Sequence, residues 1–105
     1  MKNVTTLIAS MTLSVAVMTV PGAHADQALA QGKGCLACHQ VENKVVGPAL
    51  KEISAKYQGD SGAAEMLAAK IKSGGVGTWG QIPMPPQAAA TEVEIKTLVA
   101  WILSL

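Results

Sequence analysis

The chain has 105 residues, half of them hydrophobic, with eight lysines, seven acids, no arginine and a net charge of +1 at neutral pH. So even a balance argues against nucleic acid as a partner and gives no strong field for steering partners by net charge, while leaving room for a local lysine patch. Two cysteines and three aromatic side chains, with no phenylalanine, leave a small core short of bulk and without a disulfide framework.

The chain opens with Met1-Lys2-Asn3, runs through a largely apolar stretch over residues 4–20 and reaches Pro21-Gly22-Ala23-His24-Ala25. A basic start, an apolar middle, a helix-breaking pair and an Ala-x-Ala site predict a secretory signal peptide over residues 1–25, cleaved after Ala25, and a periplasmic product. The rival is an uncleaved membrane anchor, which the run can manage by length. Cleavage leaves residues 26–105 as one domain. Losing Lys2 leaves seven lysines against the seven acids, and His39 becomes the only histidine.

Asp26 is placed to cap a short first helix through Gly32, and Gly32 and Gly34 break it just ahead of Cys35. A loop follows over residues 41–47. Pro48 suits the first position of a second helix, in which Leu50, Ile53 and Tyr57 share a face. Gly59 stops that helix and Asp60 or Ser61 caps a third, with Ala64, Leu67, Ala68 and Ile71 as its apolar stripe and Ser73-Gly74-Gly75 as its end. The last helix begins with the capping box Thr91-Glu92-Val93-Glu94 and lines up Ile95, Leu98, Val99 and Ile102. Between the last two helices, residues 74–90 hold four glycines and three prolines with neither helical nor alternating period. A loop that long in a small domain is usually functional. Four helical segments and no convincing strand predict an all-α fold.

Both cysteines stand in Gly34-Cys35-Leu36-Ala37-Cys38-His39-Gln40. Three chemistries use thiols at this spacing: a redox disulfide, half of a zinc site, or thioether attachment of haem. The dithiol reading expects a neighbouring βαβ pattern and zinc expects four ligands, and neither is supplied. A histidine directly after the second cysteine favours haem c, with His39 able to reach the iron. A large apolar cofactor would also supply the interior that the composition lacks.

An electron-carrying iron needs a sixth ligand that stays bound in both oxidation states. Outside residues 1–25 the methionines are Met66 and Met84. Met66 falls within the third helix beside its apolar stripe, where packing is the simpler reading. Met84 stands in Ile82-Pro83-Met84-Pro85-Pro86, where prolines fix φ and lower the entropy lost on ordering, so a weak thioether ligand is held in place.

The stretches Lys33-Gly34-Cys35-Leu36-Ala37-Cys38-His39, Val46-Gly47-Pro48-Ala49, Gly77-Thr78-Trp79-Gly80-Gln81-Ile82-Pro83-Met84-Pro85-Pro86 and Leu98-Val99-Ala100-Trp101 resemble the small class I bacterial cytochromes c, periplasmic monohaem carriers of the c-551/c-552 type. The resemblance covers essentially residues 26–105 and implies a class I fold of about four helices around one covalent haem. It implies thioethers at Cys35 and Cys38 and axial ligands at His39 and Met84. By the same resemblance the Pro48 carbonyl accepts from the ligand histidine, and the Trp79 indole bonds a haem propionate. Trp101 reads as helix packing. Two positions depart from close relatives. Lys70 stands where one has an arginine near a propionate, and Gln87 where an asparagine can bond the ligand sulfur.

The reading is thus an electron carrier and not an enzyme. The resemblance implies donors such as a membrane cytochrome complex and acceptors such as a nitrite reductase, an oxidase or a peroxidase, met by a monomer without stable membrane insertion. A haem enzyme or gas sensor would need an open iron position and a distal acid or donor. Residues 26–105 hold no second histidine and no arginine for that role.

Overall fold

In the computed structural model, residues 12–16 and 22–105 are described. The signal peptide expected over residues 1–25 therefore falls mostly outside the described residues. Residues 12–16 are exposed and carry no regular structure. Among the described residues no helix is long and apolar enough to cross a membrane.

Helix α1 spans Gly22–Gly32. Asp26 consequently lies inside it instead of capping it, because the alanines ahead of Asp26 are strong helix formers that carry the ladder back toward residue 22. Gly34, at φ 79°, then takes a left-handed turn that L side chains resist and feeds a single 3-10 turn at Cys35–Ala37.

Helix α2 spans Leu50–Lys56 with extended Ala49 as its N-cap, so Pro48 stands outside the helix and not at its first position. The Pro48 carbonyl is thereby free to accept a bond from elsewhere. Glu52 Oε2 accepts from the Ala49 amide at 3.0 Å and satisfies one of the donors that a helix start leaves open. Helix α3 spans Ala63–Ser73 and its N-cap is Gly62, one residue beyond the expected Asp60 or Ser61; Asp60 Oδ1 accepts from the Gly62 amide at 2.9 Å. The stripe of α3 holds at Leu67, Ala68 and Ile71 and departs only at its first position. Ala63 is buried and Leu67 and Ile71 are half-buried, whereas Ala64 faces solvent.

Two short strands, β1 (Gly75–Gly77) and β2 (Gly80–Met84), follow where only loop is expected. They pair antiparallel, Gly77 opposite Gly80 and Gly75 opposite Met84, with an irregular register between. Strands this short and this rich in glycine give the sequence no alternating core face to reveal them. The predominantly helical architecture stands.

Helix α4 spans Glu92–Leu103 and begins as expected: the Glu94 amide donates to Thr91 Oγ1 at 3.2 Å, and the Thr91 amide to Glu94 Oε1 at 3.0 Å. Such a box satisfies two open donors at the helix start reciprocally. This helix packs on α1, α2 and α3. Ala30, Leu50, Ile53, Leu98 and Trp101 form the buried centre of those contacts, which gives Trp101 the packing role expected of it. Buried Ser54 ties α2 to the chain's end, its hydroxyl 3.2 and 3.3 Å from the carbonyls of Leu103 and Leu105.

Candidate functional site

The helices and the hairpin wall a cavity of about 320 Å³. Leu50 and Ile53 of α2, Leu67 and Ile71 of α3, and Leu98 and Trp101 of α4 make it largely apolar. All six expected site residues, Cys35, Cys38, Pro48, Trp79, His39 and Met84, line it. So does Met66, the sulfur assigned to packing.

On the histidine side, the 3-10 turn brings Cys35, Cys38 and His39 to the cavity within five residues. The Cys38 carbonyl accepts from the amides of Val46 (3.2 Å) and Gly47 (2.9 Å), while Gln40 and Val41 accept from Leu50 (2.9 Å) and Lys51 (3.1 Å). These bonds fold residues 40–51 back against the motif. His39 Nδ1 thereby lies 2.8 Å from the Pro48 carbonyl. A carbonyl only accepts, so the proton sits on Nδ1 and Nε2 keeps the lone pair that a metal requires.

Gly47 completes this arrangement, and sequence reasoning assigned it no role. A Cβ there would stand 2.5 Å from His39 Cε1 and 2.8 Å from Nδ1. Its φ is not positive, so glycine is required by the imidazole's approach and not by the backbone conformation. The Gly-Pro pair is visible in the sequence, but the ring beside it is a tertiary fact.

On the methionine side, half-buried Met84 ends β2. Gly74, at φ 71°, terminates α3, and a Cβ there would collide with the Met84 carbonyl and approach Pro86 N to 2.9 Å. The Gln87 amide donates to the Ile71 carbonyl at 3.0 Å, which pins the segment after Met84 to α3. The Gln87 side chain donates to the Pro85 carbonyl at 2.9 Å. Its donor is therefore engaged within the loop. Lys70 lines the cavity and lies under β1, 2.8 Å from where a Gly75 Cβ would be. Trp79, at the hairpin's tip, is 39 % exposed.

The donor set separates the three chemistries. Burial pushes the half-buried Cys35 thiol up, opposite to the lowered value of a dithiol exchange site. Among the described residues no three His, Cys, Asp or Glu side chains converge as a metal cluster, whereas structural zinc takes four such ligands. Two thiols, an imidazole with its tautomer fixed, a thioether and apolar walls fit a covalently attached haem.

Comparison with known proteins points the same way. The family model for cytochrome c matches residues 25–105. Cytochrome c-551 of Allochromatium vinosum is 53% identical over 94 residues, covering 89% of this chain and 100% of the relative. Cytochrome c-552 of Nitrosomonas europaea is 53% identical over 90% of this chain and 92% of its own. The crystal structure of wild-type Nitrosomonas europaea cytochrome c552 superposes with a TM-score of 0.74 at 56% identity, covering 75% of this chain and 98% of that one. Motif, backbone and near-complete coverage agree, and the chain belongs to the cytochrome c family as a small class I member, an electron-transfer protein and not an enzyme, carrying one covalent haem c.

Proposed function

We propose that this protein is a soluble periplasmic carrier in which Cys35 and Cys38 hold the haem and His39 and Met84 are its axial ligands. The observation that carries this reading is that Cys35, Cys38, His39 and Met84 line one largely apolar cavity. The haem supplies the one-electron chemistry when bound. Pro48 holds the His39 proton on Nδ1, which orients the ring and makes Nε2 the stronger donor. Trp79 and Lys70 serve the haem carboxylates, Lys70 as a compact cation in place of a bidentate arginine. With His39 and Met84 both donated to it, the iron would have no place left for a substrate. The partners are docked redox proteins, a membrane cytochrome complex as donor and a nitrite reductase, oxidase or peroxidase as acceptor.

Met66 is the rival sulfur, since it also lines the cavity. Its place inside α3 suits packing, while the prolines around Met84 suit a ligand. Spectra of the purified protein decide the matter. The ferric form is expected to show a sulfur-to-iron charge-transfer band that survives Met66→Leu, and the reduced parent to refuse carbon monoxide. Ready carbon monoxide binding by the parent would overturn the closed-site reading. The periplasmic address is tested by intact mass: the haem-bearing species should begin at Asp26, and retention of Lys2 in membranes would count against cleavage.

A further inference from the structure

Residues 75–83 of the hairpin are exposed, and two lysines reach them from the helices. Lys70 lies under Gly75 at the start of β1. Lys56, the last residue of α2, reaches the other end of the hairpin: its Nζ is 5.7 Å from the centroid of the Trp79 ring and 5.7 Å from that of Tyr57. Both distances fall within the roughly 6 Å at which a ring's quadrupole attracts a cation. Lys56 takes part in none of the three ion pairs among the described residues, so no carboxylate draws the ammonium away from the aromatic faces.

The two rings differ in their support. Tyr57 is half-buried and packs against the core cluster. Trp79 sits at the tip of a hairpin closed by Gly77 and Gly80, both at positive φ, a turn that does little to fix an indole. One ammonium shared between the rings therefore couples a mobile-prone aromatic to one held by the core.

We propose that Lys56 is a positioning residue for Trp79: its ammonium, held on Tyr57, fixes the indole at the mouth of the cavity. The inference rests on the reading of Trp79 as a partner of a haem carboxylate. It adds that the carboxylate end is served by a second lysine which does not itself line the cavity. Loss of the cation frees the indole, populates its hydrogen bond less and shifts the reduction potential.

The test is hydrogen exchange of the two indole N–H groups, followed by NMR on the intact reduced holoprotein, with buried Trp101 as internal reference. Lys56→Met keeps the apolar stem and removes the charge. It is expected to accelerate Trp79 exchange about two- to fivefold, leave Trp101 unchanged and move the potential, while Lys56→Arg restores parent behaviour in both. Unchanged Trp79 exchange in Lys56→Met, equal acceleration of both indoles, or failure of Lys56→Arg to restore would each overturn the proposal. Carbon monoxide binding by the parent would sink the closed-site carrier instead, and the ratio of the two indole rates can still be read in that event.

Discussion

Between Cys35 and Lys51 the backbone closes on itself through amide bonds to the carbonyls of Cys38, Gln40 and Val41, and His39 is aimed by a bond to Pro48. Between Gly74 and Ala90 the ties are of another kind: a short glycine-rich pairing, the Gly74 and Gln87 amides on carbonyls of α3, bonds of Gln87 and Ala90 within the loop, and Lys33 Nζ 3.1 Å from the Ala89 carbonyl. The difference follows from the two side chains being presented. An imidazole has a second nitrogen, and a carbonyl can grip it. A thioether offers only a weak acceptor, so hydrogen bonding orients it far less than it does an imidazole, and the chain presets it mainly through prolines and a close-packed glycine. Each side nevertheless uses one glycine for contact, Gly47 against the imidazole and Gly74 against the Met84 backbone.

The comparison breaks most completely at the thiols. Cys35→Ser or Cys38→Ser is expected to abolish most holoprotein, and the apo chain to lose most helix, because a domain this small depends on the haem for its interior. Far-UV circular dichroism measures this. Native helix content with a cooperative melt in the apo form would show that the cavity walls support themselves.

Met84→Ala comes next and separates the two sides. It should leave the haem attached, open the sixth position to carbon monoxide in the reduced state and remove the charge-transfer band. Met84→His should lower the potential, since a thioether favours ferrous iron more than a second imidazole does. A band that survives Met84→Ala and vanishes in Met66→Leu would move the ligand to α3.

The glycines sharpen the contrast at smaller cost. Gly47→Ala should destabilise by about 1–3 kcal/mol through overpacking and displace the hyperfine-shifted His39 ring resonances. Gly74→Ala forces a side chain into a backbone region, φ 71° and ψ −168°, that is essentially reserved for glycine, at about 1–3 kcal/mol, together with the collision at Met84, and should weaken the charge-transfer band. Changes appearing at the wrong ligand would undo the division into two sides.

What was legible in the sequence follows the same division. Cys35, Cys38 and His39 are readable because the chemistry is written within five adjacent residues, and the Thr91–Glu94 box because capping is local. The bond from His39 to the Pro48 carbonyl spans nine positions, and the rules for a helix start do not contain it. The role of Gly47 was hidden because a glycine before a proline already reads as a turn. The hairpin was hidden because three- and five-residue strands are too short to show a period. Ala64 was misplaced by one position, since alanine is too small and too frequent in α3 to mark a face by itself.

The smallest expected effect lies where the two sides meet. Lys33, two residues before Cys35, pairs with Glu94 Oε2 at 3.0 Å while holding the Ala89 carbonyl. The Thr91 backbone amide, and next the Lys33 ammonium, hold the Glu94 carboxyl below its ordinary value. A carboxyl whose value is lower in the fold contributes stability that is fully present above its unfolded value of about 4.3 and fades as the pH falls through the folded one. Glu94→Gln should therefore be less stable than the parent near neutrality, and the gap in denaturation midpoint should close below about pH 4. Lys33→Met, which keeps the capping box, should cost less than Glu94→Gln yet loosen the end of the methionine segment, seen as a charge-transfer band lost at milder acid than in the parent. A gap in midpoint that stays constant with pH would mean that the carboxylate's charge plays no part. An unaltered band in Lys33→Met would mean that the methionine side holds its ligand without help from the segment that carries the cysteines.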